Sequence, residues 1–351
     1  MDFGFLSLPV ITLSLLFGYS VFFDVSAVLF HPIEVPLTLD QQGYSRRVMS
    51  ARLANEVRLI KLKARTAKDE RRMLLPDDES AIYTLGGYFD FLTPVRATQE
   101  LMGLVEFSFV GDVVTRDNEY RLSVRGRNNR TQQFFFATVG ARDPEDLVRR
   151  MAIDIVRFVD PYIVASYHYE TTRDRKGTDY ADTLRELRHC AAAMPEGERH
   201  WAHNLWGLVL LQEGRPDEAI ERFRQALRLR PDFVPALHNW GNALLAKGEH
   251  EAAIARFREV LALDGESRQR TPHAYTGWAT ALRALGRPEE SAVLYREAMQ
   301  ADPRFAEAYN GYGELLRQTG DLAGARAMFE RAADLDPLRT EFATNLASLP
   351  E

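Results

Sequence analysis

The feature that most constrains this chain is a recurrence of residue types every 34 positions in its C-terminal part. Between Trp201 and Pro231 the marked positions are Gly207, Gly214, Ala219, Phe223, Ala226 and Pro231. One period later the same roles fall to Gly241, Gly248, Ala253 and Phe257, with Val260 in place of the alanine. Four extra residues around Arg268 to Thr271 break the spacing once. It resumes as Ala279, Gly286, Ser291, Tyr295, Ala298 and Pro303, then as Gly313, Gly320, Ala325, Phe329, Ala332 and Pro337. A period of this length predicts a helical hairpin repeated along a stack. The early small residue lets two helices approach closely. The second glycine ends the first helix, where φ is positive. The alanines pack helix on helix, the aromatic fills the gap between neighbouring repeats, and the proline closes the second helix.

Six spaced roles in four copies resemble the tetratricopeptide repeat family over residues 200 to about 337. The departures are Val260, Ser291 and Gly265, which stands where the second copy should carry proline. The resemblance implies an α-solenoid whose concave side is lined by the first helices and takes a protein or peptide. At the family's groove positions the chain offers Trp201, Asn204, Leu208, His238, Asn242, Thr276, Thr280, Arg283, Asn310, Glu314 and Arg317. Members that grip a C-terminal carboxylate do so with Lys, Asn and Arg at fixed positions. Asn239 stands at one of these here, but Asn204, His273 and Gly277 occupy the basic ones, which disfavours that clamp. Upstream, helices through Ala165 to Tyr169 and Tyr180 to Ala193 are expected to form a degenerate repeat. Downstream, Arg339 to Leu349 is expected to cap the stack.

At the other end, Phe3 to Phe23 is almost wholly apolar and carries no charged side chain. About 20 helical residues cross a hydrocarbon core of roughly 30 Å. The run therefore predicts a single-pass transmembrane helix in contact with the lipid bilayer. A cleaved signal peptide is the alternative, with Val25-Ser26-Ala27 as the cleavage site. Asp2 and the lack of an N-terminal Lys or Arg argue against it. The first basic residues after the run are Arg46 and Arg47, so nothing holds that flank in the cytoplasm, and the body is expected outside it.

Between anchor and repeats the sequence alternates as a small α+β module. His31 to Leu39 reads as extended because of its prolines. Ser45 is a candidate N-cap for a helix from Arg46 to Arg65, with Val48, Leu53, Val57 and Ile60 as its buried stripe. Lys68 to Ser80 reads as a polar loop. Strands are expected over Gly103 to Val110, Asn118 to Gly126 and Gln132 to Val139, with turns at Gly111-Asp112 and Gly126 to Asn129. Asp143-Pro144-Glu145-Asp146 starts a helix with Leu147, Met151, Ile155 and Phe158 on one stripe. Such a module before a repeat array resembles membrane-anchored bacterial tetratricopeptide proteins. The expected fold class is thus mostly α: a transmembrane helix or signal peptide over 1–27, an α+β module over 28–160, a degenerate helical repeat over 161–199, and the α-solenoid over 200–351.

Composition narrows the functional classes. A net charge of -6 argues against a nucleic-acid binder, and the arginines from Arg222 to Arg230 are interleaved with acids and read as a solvated face. The single cysteine, Cys190, permits no internal disulfide and no cysteine zinc site. His200 and His203, with His189 nearby, suggest a metal, but His203 falls on a packing position of the repeat. No phosphate loop and no Gly-x-Ser-x-Gly occurs. The reading is a membrane-anchored scaffold that binds a protein partner, with neither catalysis nor cofactor. The alternative is an envelope sensor whose α+β module binds a small ligand or an envelope component, and it calls for a buried polar pocket between the Asp146 helix and the Phe-rich strand.

Overall fold

The computed structural model describes residues 27–66, 68, 92–264 and 271–350. The expected transmembrane helix, most of the Lys68 to Ser80 loop and the Gly265 turn lie outside these residues. Among the described residues no helix is long and apolar enough to cross a membrane. The chain divides into two compact units, residues 1–189 and 190–351.

The first unit is built on a four-stranded sheet in sequence order: β1 (Val28–Phe30), β2 (Phe107–Arg116), β3 (Glu119–Asn128) and β4 (Phe134–Ala141). β1 pairs with β2 in parallel, and the remaining pairs are antiparallel. β1 was not expected as a strand, since its three apolar residues continue the N-terminal apolar run and mask the boundary. The helices are α1 (Leu37–Asp40), α2 (Arg46–Ala64), α3 (Leu92–Leu101), α4 (Pro144–Val159), α5 (Pro161–Asp174) and α6 (Ala181–Ala193).

α1 corrects the extended reading at Leu37 to Leu39: Pro36 precedes the helix and leaves the four residues after it free to turn. α2 starts at the predicted cap, with the Ser45 hydroxyl accepting from the Val48 amide at 3.4 Å. Its buried stripe is Met49, Leu53, Val57, Ile60 and Ala64; Val48 sits only half-buried beside it.

Gly111-Asp112 and the Gly126-Arg127 half of the second expected turn are strand interiors, whereas Asn128 and Asn129 do enter the turn. β2 and β3 pair without a break from Phe107↔Asn128 to Arg116↔Glu119. A Cβ at Gly111 would lie 2.9 Å from the Ser123 carbonyl oxygen, and one at Gly126 would lie 2.4 Å from the Phe109 ring. Glycine stands there because another group needs the space, not because the chain reverses. The reversal falls at Asp117 and Asn118, whose φ values of 53° and 59° fit a two-residue hairpin turn. The next turn is tied by Asn128, whose side-chain oxygen accepts from the amides of Arg130 at 2.8 Å and Thr131 at 2.9 Å.

One face of the sheet is covered by α2 and α4. Asp143 caps α4 as its sequence predicts, accepting from the amides of Glu145 and Asp146. The interface with the sheet is aromatic: Phe158 meets Phe107, Phe109 and Phe135 at ring-centre distances of 5.9, 6.3 and 5.2 Å. Ile163 and Val164 of α5 share this core, so the first unit continues past Asp160 into the segment read as a degenerate repeat. Asp160 joins the two helices. It caps α5 through the Tyr162 amide at 3.0 Å and pairs at 2.5 Å with Lys68 in a nearly buried ion pair.

The second unit consists of helix pairs: α7 (Arg199–Gln212) with α8 (Pro216–Leu229), α9 (Val234–Ala246) with α10 (His250–Asp264), α11 (Thr271–Ala284) with α12 (Pro288–Ala301), and α13 (Ala306–Thr319) with α14 (Leu322–Leu335). A last helix, α15 (Thr340–Ala347), closes the stack. Every first helix ends at a glycine with positive φ: Gly214 at 71°, Gly248 at 78°, Gly286 at 71° and Gly320 at 89°. The aromatic of each second helix packs at the heart of its pair. A Cβ on Gly207 would come within 2.3 Å of the Phe223 ring, and one on Gly241 or Gly313 within 2.7 Å of Phe257 or Phe329. The aromatic thus fills the space inside its own pair. Phe257 and Tyr295 also fill the space to the next, against Gly277 and Gly311. The Ser291 departure is accommodated by a bond: its hydroxyl donates to the Ala279 carbonyl at 2.8 Å.

Candidate functional site: the first-helix face of the repeat stack

The eleven predicted groove residues all fall on first helices. They form two rows along α7, α9, α11 and α13, with Trp201, Arg283 and Arg317 beyond the rows. The row Asn204, His238, Thr276 and Asn310 runs nearest the junctions between repeats. Leu208, Asn242, Thr280 and Glu314 follow one turn later. Most of them are half-buried; Asn204 and His238 are buried and Arg317 is exposed.

The junctions explain what holds the first row. Asn239 Nδ2 donates to Asn204 Oδ1 at 2.9 Å, and Asn345 Nδ2 donates to Asn310 Oδ1 at 2.9 Å. Each pair joins one first helix to the helix that stacks beside it in the next repeat position, α7 to α9 and α13 to α15, 35 positions on. At the two middle junctions the matching positions are Gly277 and Gly311, and there the rings of Phe257 and Tyr295 close the contact. His238 turns towards His273, with ring centres 5.8 Å apart.

The second row is fixed by local bonds. Asn242 Nδ2 lies 3.0 Å from His238 Nε2; donation by the amide makes that nitrogen the acceptor. The Thr280 hydroxyl donates to the Thr276 carbonyl at 2.9 Å and lies 3.1 Å from the Tyr295 hydroxyl. Burial pushes the Tyr295 phenol up, so it remains a neutral hydroxyl there. Glu314 sits between Arg283 at 3.6 Å and Arg317 at 3.2 Å, and Arg317 also donates to Ser348 at 3.2 Å. Trp201 packs edge-on against Phe233, 4.8 Å between ring centres. The face therefore offers hydrogen-bonding groups already set in position, with charges that nearly balance.

The inter-repeat partners Asn345 and Ser348 were not expected from the sequence. The signal for Asn345 is a spacing of one period plus one residue, visible once Asn204 is set against Asn239 and Asn310 against Asn345; Ser348 carries no such signal. Of the arginines from Arg222 to Arg230, Arg224, Arg228 and Arg230 are exposed and pair with Glu221 or Asp232, as expected of a solvated face of mixed charge, but two of the set, with two arginines of α10, also lie over tryptophan rings. Arg222 stacks on Trp206 at 3.7 Å, Arg224 and Arg256 both lie over Trp240 at 5.1 and 4.7 Å, and Arg258 covers Trp278 at 4.6 Å. Cation–π contact draws these guanidinium groups onto the surface. Of the histidines considered for a metal, His200 bonds through Nδ1 to the Gly197 carbonyl at 2.8 Å and packs on Phe233. His203 is packed in the stack, and burial lowers its pKa.

Two family models, each described as a tetratricopeptide repeat, match the chain, one over residues 210–271 and the other over residues 276–339. This part of the chain is a tetratricopeptide-repeat array. The chain is similar to several solved structures. A thermophilic tetratricopeptide protein of Thermus thermophilus matches at 16% identity and a TM-score of 0.46, covering 54% of this chain and 96% of its own. MamA of Desulfovibrio magneticus matches at 19% identity and 0.40, covering 51% and 97%. YrrB, described as having an unusual peptide-binding site, matches at 20% identity and 0.32, covering 41% and 73%. At these scores the likenesses carry nothing about partners. No curated protein matches the sequence.

Proposed function

We propose that this chain is a membrane-tethered, non-enzymatic scaffold whose tetratricopeptide groove captures an extended segment of a protein partner. The observation that carries the reading is the pair of polar rows on α7, α9, α11 and α13. Asn242, Thr280 and Glu314 present amide, hydroxyl and carboxylate groups at fixed intervals on one face. Hydrogen-bonding groups at regular spacing suit a peptide backbone better than a compact small molecule. The tether rests on the apolar, uncharged run from Phe3 to Phe23, and the placement of the body outside the cytoplasm rests on the lack of basic residues after it. The ligand-sensor alternative gains no support, because the α4 interface where its pocket was sought is filled by Phe107, Phe109, Phe135 and Phe158.

The test is photo-crosslinking in the cell, with the reactive side chain at Asn242 and a control at Glu251 on α10. A discrete adduct formed only from Asn242 supports groove capture and names the partner. Equal adducts from both positions, or none from either, overturn it.

A further inference from the structure

We propose that the open β3–β4 half of the second sheet face docks on the headgroup surface of an anionic lipid bilayer. Among the described residues, α2 and α4 cover the face that carries Phe107, Phe109, Leu122 and Val124. On the other face Leu29 is buried at the β1 edge, and just beyond it His31 meets Glu100 of α3 at 3.3 Å, so the open part of that face is its β3–β4 half. Alternation places Phe134 and Phe136 of β4 on the opposite face, and they are 79% and 70% exposed. Their cross-strand partners on β3 are Arg127 and Arg125. Two aromatic rings flanked directly by two guanidinium groups form the amphipathic pattern of an interfacial anchor. Arg127 bonds to the neutral Asn129 at 2.8 Å, while Arg125 meets Asp112 only at 3.5 Å, so positive charge remains at this end of the face. Glu119 lies at the other end, beside Arg121 at 3.7 Å.

The position of the N-terminal segment selects lipid over other anionic partners, and this step rests on the tether reading. The Ala27 carbonyl accepts from the amides of Glu106 and Phe107 at 3.0 and 2.8 Å, at the start of β2. By register, Leu29, Ser108, Arg127 and Phe134 then form one row across the sheet, one residue beyond the Val28↔Phe107 pair. Only residues 24–26 separate Ala27 from the end of the apolar run, and so short a segment spans at most about 14 Å. A bilayer crossed by that run must lie beside the end of the sheet that carries Phe134. Leu101, 89% exposed six residues before β2, adds apolar surface close in sequence to the same end.

The experiment uses the full chain in nanodiscs of phosphatidylcholine alone or mixed with phosphatidylglycerol. Cys190 is buried, so an environment-sensitive dye can be placed on Phe136→Cys and, as a control at the far end of the same face, on Arg116→Cys. The expected result is a blue shift at position 136 only, in phosphatidylglycerol discs only. High salt reverses it, and Arg125→Glu with Arg127→Glu abolishes it. Phe134→Ser, a second exposed-site variant, should weaken it without moving the thermal midpoint. Alkaline carbonate extraction reports the tether separately. A chain that resists carbonate while the dye at 136 stays in water overturns docking and leaves the tether standing. A phosphatidylglycerol-dependent shift in a chain that carbonate strips supports docking and removes the tether. A shift produced by a single-stranded oligonucleotide without lipid, and by no phosphatidylglycerol disc, overturns docking in favour of nucleic acid.

Discussion

Gly241 shows how one missing side chain sets the spacing of a helix pair. Its α-carbon faces the Phe257 ring so closely that a methyl group would stand 2.7 Å from the ring. Alanine gains about 1 kcal/mol in helix propensity, but overpacking of a filled core costs about 1–3 kcal/mol. Gly241→Ala should therefore lower the urea midpoint, whereas Gly197→Ala, with nothing within 4 Å of the added methyl, should not move it beyond error. His203 gives the array a pH dependence of known sign. Burial, with Arg222, Arg199 and Arg228 nearby, holds its folded pKa below the ordinary value of 6.5. The folded state then binds fewer protons than the unfolded state once pH falls below that value. Its contribution is constant above it and declines as pH drops through the folded pKa. Urea midpoints measured from about pH 7.5 down to pH 5 should show that acid loss, and His203→Gln should reduce it.

Among the elements, the helices announced themselves and the strands only partly did. Asp143-Pro144 fixed the start of α4, and Ser45 fixed the start of α2, because a cap is local chemistry that needs no distant partner. Gly111 and Gly126 misled for the opposite reason. Their role is to admit the Ser123 carbonyl and the Phe109 ring, contacts that exist only after the sheet has formed. β1 was hidden because three residues paired in parallel to a strand nearly eighty positions away carry no local signature. The capping helix α15 was legible because the stack needs one. Phe342 is fully buried against Ala306 and Ala332, and Leu349 packs by Phe329. Phe342→Ala should cost about 3–5 kcal/mol, read as a fall in the urea midpoint. A chain ended after Leu338 should in addition scatter light, since it exposes the last apolar face.

At the scale of the molecule, the tetratricopeptide array is held by contacts between neighbours only, so damage should stay local. Phe329→Ala at one end should raise amide exchange in α13, α14 and α15 while α7 to α10 keep most of their protection; uniform loss throughout would contradict this. The first-helix face was largely visible beforehand because the period assigns each residue its side of the helix. The partners that fix those residues were less visible. Asn345 lies in α15 and Ser348 caps its end, in a segment that follows the period weakly, and their significance rests on reaching Asn310 and Arg317.

The bonds that tie Asn204 to Asn239, Asn242 to His238 and Thr280 to Thr276 form when the chain folds. A segment arriving at this face finds side chains whose rotamers are already restricted, so the receptor loses little freedom on association. Nearly all the entropy lost then belongs to the incoming strand. Stiffening that strand, by a proline or a short cross-link in its bound shape, should lengthen the lifetime of the complex, whereas stiffening the groove further should change it little.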